Sequence, residues 1–187
     1  MNPKISYKLR SNFAKLLISL HIDKDPLEYV VIPVLTRVWQ EIAQAKMSIP
    51  QSPVKIEPKL LKLKDFVIQF YEDMNGIQRS FENEQNLLTL QVLIITEKML
   101  ELGFYTNEKE LLLVVEPMIS LLDGSNDFHS REEEEAFKAM EKAKERGDKD
   151  VMIKRDKTLR YKNSEDNMMI VQIKRKIIQI LHKIMDL

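Results

Sequence analysis

Apolar residues recur along this chain with a helical period rather than a strand-like one. Leu9, Phe13, Leu16, Leu17 and Leu20 stand at i, i+4, i+7, i+8 and i+11, a single stripe that predicts an amphipathic helix from about Ser6 to Leu20. Lys8, Arg10, Ser11, Asn12, Lys15 and Ser19 form its expected wet side. Pro26 stops the helix and pushes Asp25 out of helical geometry. Tyr29 to Ile32 is rich in β-branched residues and reads as extended. Pro33 suits the first position of a second helix, where its missing N–H costs nothing, and Val34, Leu35, Val38, Trp39 and Ile42 supply that helix with a stripe. Lys46 to Pro58 holds prolines at 50, 53 and 58 and reads as a loop.

A third helix opens near Lys59, with Leu60, Leu63, Val67, Phe70, Met74 and Ile77 in helical register and Phe66 and Tyr71 beside them. Gly76 weakens its last turns. The fourth, about Glu84 to Leu102, is apolar on more than one side, the pattern of a helix lying between other helices. Gly103 suits its C-terminal cap. Asn107 with Glu110 makes a capping box for a fifth helix that carries Leu111, Leu112, Val114, Val115, Met118, Leu121 and Leu122 and ends at Gly124, and Pro117 inside it should kink or break it. Ser130 with Glu133 makes another capping box, ahead of a charged helix with few apolar residues (Ala136, Phe137, Met140) that should project into solvent. Gly147 to Asp166 is polar. The last helix, about Asn167 to Met185, carries Ile170, Ile173, Ile177, Ile180, Leu181 and Ile184.

The expected fold is therefore all-α: an armadillo- or HEAT-like α-solenoid segment of antiparallel helix pairs, with a closed bundle as the alternative. Three regions follow: solenoid repeats over 1–124, a charged insert with one exposed helix over 125–166, and a final solenoid helix over 167–187. Lys plus Arg equals Asp plus Glu, which argues against a general nucleic-acid binder. The absence of cysteine excludes disulfides, thiolate metal sites and a cysteine nucleophile. No apolar run is long enough to span a membrane, and the N-terminus lacks the apolar core of a secretory signal.

One order of residues goes further. Leu9, Arg10, Ser11 and Phe13 lead to His21, Ile22, Asp23, Lys24, Asp25 and Pro26, and then to Arg37 and Trp39. A second block holds Leu88, Thr89, Val92, Leu100, Gly103, Phe104, Tyr105, Leu111, Leu112 and Asp123, and a third Ile173, Lys174, Lys176, Ile177, Ile178, Ile180, Leu181, Ile184, Met185 and Asp186. These blocks resemble intracellular calcium-release channels, above all the inositol trisphosphate receptors, with ryanodine receptors more distant. The resemblance lapses over 46–58 and 125–167, and Pro117 departs from it.

The resemblance implies a cytosolic regulatory and coupling segment of an inositol trisphosphate-gated channel, on the cytosolic face of the endoplasmic reticulum or a related calcium store. It would relay ligand- and calcium-driven movement to a pore outside these residues. Its partners would be neighbouring domains of the same subunit within a homotetramer. The resemblance also implies a shared interdomain calcium site that uses the backbone oxygen of Lys24, with Asp23, Asp25 and Glu28 at the interface. The simpler reading of Asp23 and Asp25 is that they cap and solubilise their loop. Calcium needs several oxygens, so this loop alone should bind it weakly.

Other candidates are weaker. His21 reads as packed beside an apolar stripe, and His21, His129 and His182 are too far apart in sequence for a helical metal pair. Glu132 to Glu135 reads as a solvated face, as do Lys174, Arg175 and Lys176. Trp39 with Phe104 and Tyr105 reads as core rather than a docking pocket. No nucleophile, base and oxyanion donor stand in a recognisable motif, so no enzyme activity is expected. The alternative function is a free-standing helical-repeat adaptor for a protein partner.

Overall fold

The helical period becomes helix in a computed structural model that describes residues 4–22, 58–105, 108–124, 126–145 and 165–185. Among these residues there are six α-helices and no strand: α1 (Tyr7–Leu17), α2 (Pro58–Met74), α3 (Asn83–Glu101), α4 (Glu108–Asp123), α5 (Arg131–Glu145) and α6 (Glu165–Met185). A wider π-type turn, Ile18–Ile22, extends α1. The expected helix at 33–42 lies outside the described residues.

Helix α3 is the hub. Leu88, Val92, Leu93, Ile95 and Met99 have no exposed surface, and Leu100 is buried beside them. α1 and α6 both pack on α3, while α4 takes α2 and α6. Two threonines sit dry in α3 because their hydroxyls find partners. Thr89 Oγ1 donates to the Gln85 carbonyl (3.0 Å) and Thr96 Oγ1 to the Val92 carbonyl (2.9 Å). Thr96 also meets the buried Tyr71 hydroxyl at 3.1 Å, which ties α2 to α3. The α3 C-terminus closes as expected: Gly103 adopts φ 71°, its N–H donates to Leu100, and the Phe104 N–H donates to Met99. This pair of bonds is a Schellman motif, and it turns Phe104 into the core.

Helix α1 corrects the first expectation. Its capping by Ser6, whose Oγ accepts from the Leu9 N–H, is ordinary. Most of its apolar stripe, however, faces outwards: Leu9, Phe13, Leu16 and Leu20 are 46%, 49%, 51% and 52% exposed, and only Leu17 of that stripe packs against the core. The buried positions are Ser11, assigned above to the wet side, with Ala14 and then Ile22. Small side chains let α1 approach α3 closely, and the periodicity alone could not say which of two faces meets the partner. His21 is exposed rather than packed, because the π-type turn carries it out while Ile22 turns in.

The next two helices follow their stripes. Leu60, Leu63, Val67, Phe70 and Met74 of α2 are buried, as are Val114, Met118 and Leu121 of α4. Pro117 does not break α4, which runs through it. Its missing N–H leaves the Leu113 carbonyl without the bond that a helix normally supplies, and burial of Val114, Met118 and Leu121 holds the helix across that gap. Gly76 (φ 66°) follows α2, and a Cβ there would run into the Ser120 hydroxyl of α4. Glycine is thus required twice over, by the left-handed backbone and by the close approach.

The loop after α2 meets the loop after α4. The Ser80 N–H donates to Phe128 (3.0 Å), the Phe128 N–H to Gln78 (2.8 Å), and the Ser80 hydroxyl to His129 (3.0 Å). Ser130 caps α5 as expected, accepting from the Glu133 N–H at 3.2 Å, while Glu133 reaches back to the His129 N–H at 2.8 Å. Beyond this root α5 is largely exposed, with Phe137 edge-on to Phe128 at its base. Ile170, Ile173, Ile177 and Ile180 of α6 are fully buried.

Candidate functional site

Lys24, Asp23, Asp25 and Glu28 lie outside the described residues, as does Trp39. What the structure places is the chain leading into them. Ile22, the last residue before Asp23, is buried, and the π-type turn that holds it packs on α3.

Three of the charged residues that the structure brings together, Glu134, Lys174 and Lys176, are ones the sequence reading left on wet faces. Glu97 is buried on α3 and pairs with Lys176 and with Lys183 (2.8 Å) of α6, and Lys183 also pairs with Glu101. Burial pushes the Glu97 carboxyl up, but the hydrogen bonds from Lys176 and Lys183 outweigh it and hold the group below the usual carboxylate range. Lys174 pairs with the buried Asp127 (2.8 Å) and donates to the Leu122 carbonyl (3.3 Å). Of the three basic residues expected on a wet face, only Arg175 is exposed.

Glu134 corrects the expectation of a solvated acidic run. It is buried and accepts two hydrogen bonds from Arg79, at 2.9 and 2.8 Å, plus an ion pair from Lys138 at 2.7 Å. The Arg79 fork, aided by Lys138, draws its carboxyl down from the usual range to about 2, against the cost of burial. Lys64 makes a similar pin at the α3–α4 connection. It pairs with Glu110 (2.7 Å), donates to the Phe104 carbonyl (3.3 Å) and stands 5.5 Å from the centre of the Tyr105 ring. Phe104 is core, as expected, while Tyr105 is half-buried.

A signal for these pins was present in the sequence. Glu97 interrupts a helix apolar on nearly every side, and a charge in such a setting needs a partner. The identity of the partner was not readable, since it lies on another helix far along the chain.

Two surface features complete the inventory. One is the outward apolar stripe of α1. The other is an open groove of about 310 Å³ between the end of α2 and the second half of α4, lined by Tyr71, Glu72, Asn75, Gly76, Leu113, Glu116, Pro117 and Ser120. Among the described residues no three His, Cys, Asp or Glu side chains cluster as metal ligands, and no helix is long and apolar enough to cross a membrane. No protein-family model matches the chain, and no solved structure matches it.

Proposed function

We propose that the chain is a cytosolic regulatory and coupling segment of an inositol trisphosphate-gated calcium-release channel, acting in a homotetramer at an internal calcium store. One observation carries the reading. The three blocks that resemble the channel family are far apart in sequence, yet their described parts, α1, α3 with α4, and α6, pack on one another around α3. Residues shared with the family thus belong to one structural unit rather than to scattered helices.

Two further features support it. Among the described helices, α2 packs with α4 and α1 with α3, contacts between alternate helices of the kind that stacked helix pairs of an α-solenoid produce. The unit is also cross-pinned by charge between α3 and α6 and at the loops, and a stiff body passes on displacement instead of absorbing it. In this reading the acidic loop after Ile22 meets a neighbouring domain, with the Lys24 carbonyl as one ligand of a shared calcium ion.

An antibody against residues 131–145 tests the assignment. It should detect, in internal-membrane vesicles of the source cells, a polypeptide many times heavier than 22.0 kDa, and inositol trisphosphate should release calcium from those vesicles. Only a free 22 kDa protein in the soluble fraction would overturn the reading. Sub-micromolar calcium binding by the isolated chain would contradict the shared site.

The α2–α4 groove favours a second reading, a helical adaptor. Its rim carries Glu72 and Glu116 around an exposed Leu113, which suits a basic peptide with an apolar anchor. Capture of one discrete peptide, lost on Leu113→Asp, would favour that alternative.

A further inference from the structure

Helix α1 and the π-type turn after it present two rows of exposed side chains, one beside the other. Leu9, Phe13, Leu16 and Leu20 form the apolar row, each about half exposed. Lys8, Asn12, Lys15 and Ser19 each stand one position before a member of that row, so a polar row runs along its edge, and all four are exposed. The opposite side of α1, with Ser11 and Ala14, is committed to the body through contact with α3. A row of large apolar side chains kept in water costs free energy and marks a contact surface.

Charge selects what this surface meets. Basic and acidic residues balance over the whole chain, but residues 4–22 hold Lys4, Lys8, Arg10 and Lys15 and no acidic residue. A second copy would set the same positive charges against these, which repels it, whereas an anionic occupant is attracted. A protein that wraps a basic helix needs most of its circumference, and one side of α1 is already packed on α3. A lipid bilayer needs one face only. Apolar side chains enter the boundary between headgroups and acyl chains, and lysines at the edge of the face keep their ammonium groups among the headgroups. Lys8 and Lys15 occupy that edge. From Leu9 to Leu20 the row is about 17 Å long, and its side chains are only half free, so apolar contact alone is weak and attachment depends on anionic lipid.

We propose that α1 docks on an anionic bilayer surface, with Leu9, Phe13, Leu16 and Leu20 at the acyl boundary and Lys8 and Lys15 against the headgroups. This surface acts whether or not the chain belongs to a channel.

The chain contains no cysteine, so Leu16→Cys places a single environment-sensitive fluorophore on the apolar row. In the purified 187-residue chain the label should shift to the blue on phosphatidylcholine vesicles containing about one third phosphatidylserine, and brominated lipid should quench it. Phosphatidylcholine alone should bind about tenfold more weakly or worse, and raising salt from about 0.1 to about 0.5 M should release the chain from the anionic vesicles. In co-sedimentation with those vesicles, Lys8→Ala with Lys15→Ala should weaken binding about tenfold or more, and Phe13→Asp to a similar degree, with helix content by circular dichroism retained. Ile119→Asp, at an exposed apolar position on α4, should leave binding unchanged. Failure to bind the anionic vesicles would overturn the proposal and leave the face to a partner protein. Binding that survives the α1 substitutions, or that is equal on phosphatidylcholine alone, would also overturn it. A label already shielded without vesicles would assign the face to another part of this chain or, if dilution exposes it, to a second copy; either result overturns the proposal as well.

Discussion

Ser11 is fully buried on α1, and its hydroxyl has no hydrogen-bond partner among the described residues. An unpaired buried hydroxyl is a net cost, and alanine is the better helix former. Ser11→Ala should therefore raise stability by about 1 kcal/mol in urea unfolding, and a loss of similar size would show that the hydroxyl is bonded. Glu134 makes the opposite case. Its folded-state carboxyl sits at about 2 against an ordinary 4.5, so its contribution is complete above 4.5 and is lost as pH falls through 2. Amide hydrogen exchange at the start of α5 should accelerate over that acid range while exchange in the middle of α3 lags behind. Arg79→Met should remove the paired state, so that exchange there is already faster at neutral pH and its acid dependence is largely lost. These residue-scale facts were the least legible in the sequence. The Ser130 cap and the Gly103 turn are local and readable, but Arg79 meets Glu134 from 55 positions away, and a single sequence records charge without recording pairing.

At the scale of elements, periodicity succeeded wherever a helix has one plausible buried face. The stripes of α2, α4 and α6 are buried much as their spacing predicts, and α3 is surrounded because it is apolar on nearly every side. It misled at α1, where the small-residue face beats the larger apolar one for contact with α3. The expected acidic site, Asp23, Lys24, Asp25 and Glu28, falls outside the described residues. Two predictions belong here. Pro117→Ala returns a donor to the Leu113 carbonyl and should stabilise the protein by about 1–3 kcal/mol in the same urea assay; a loss of stability would contradict this. Glu97→Ala removes the carboxylate that Lys176 and Lys183 share, and should cost about 1–3 kcal/mol; a neutral result would mean that α6 is held by its isoleucines alone.

For the whole molecule, the account rests on stiffness put to use. Apolar burial around α3 joins the three family-like blocks, and the ion pairs between α3 and α6 fix how those helices sit. Breaking the pairs should therefore damage the passage of a signal more than the binding of a ligand elsewhere in the subunit. The direct measurement of the proposed channel role is calcium release from vesicles carrying the longer subunit that this proposal requires, unaltered or with Lys176→Ala and Lys183→Ala, alongside inositol trisphosphate binding to the same vesicles. The account predicts unchanged binding and release that is several-fold weaker at saturating ligand in the double variant. Release and binding that both match the unaltered channel, or vesicles that never respond to inositol trisphosphate, would contradict it.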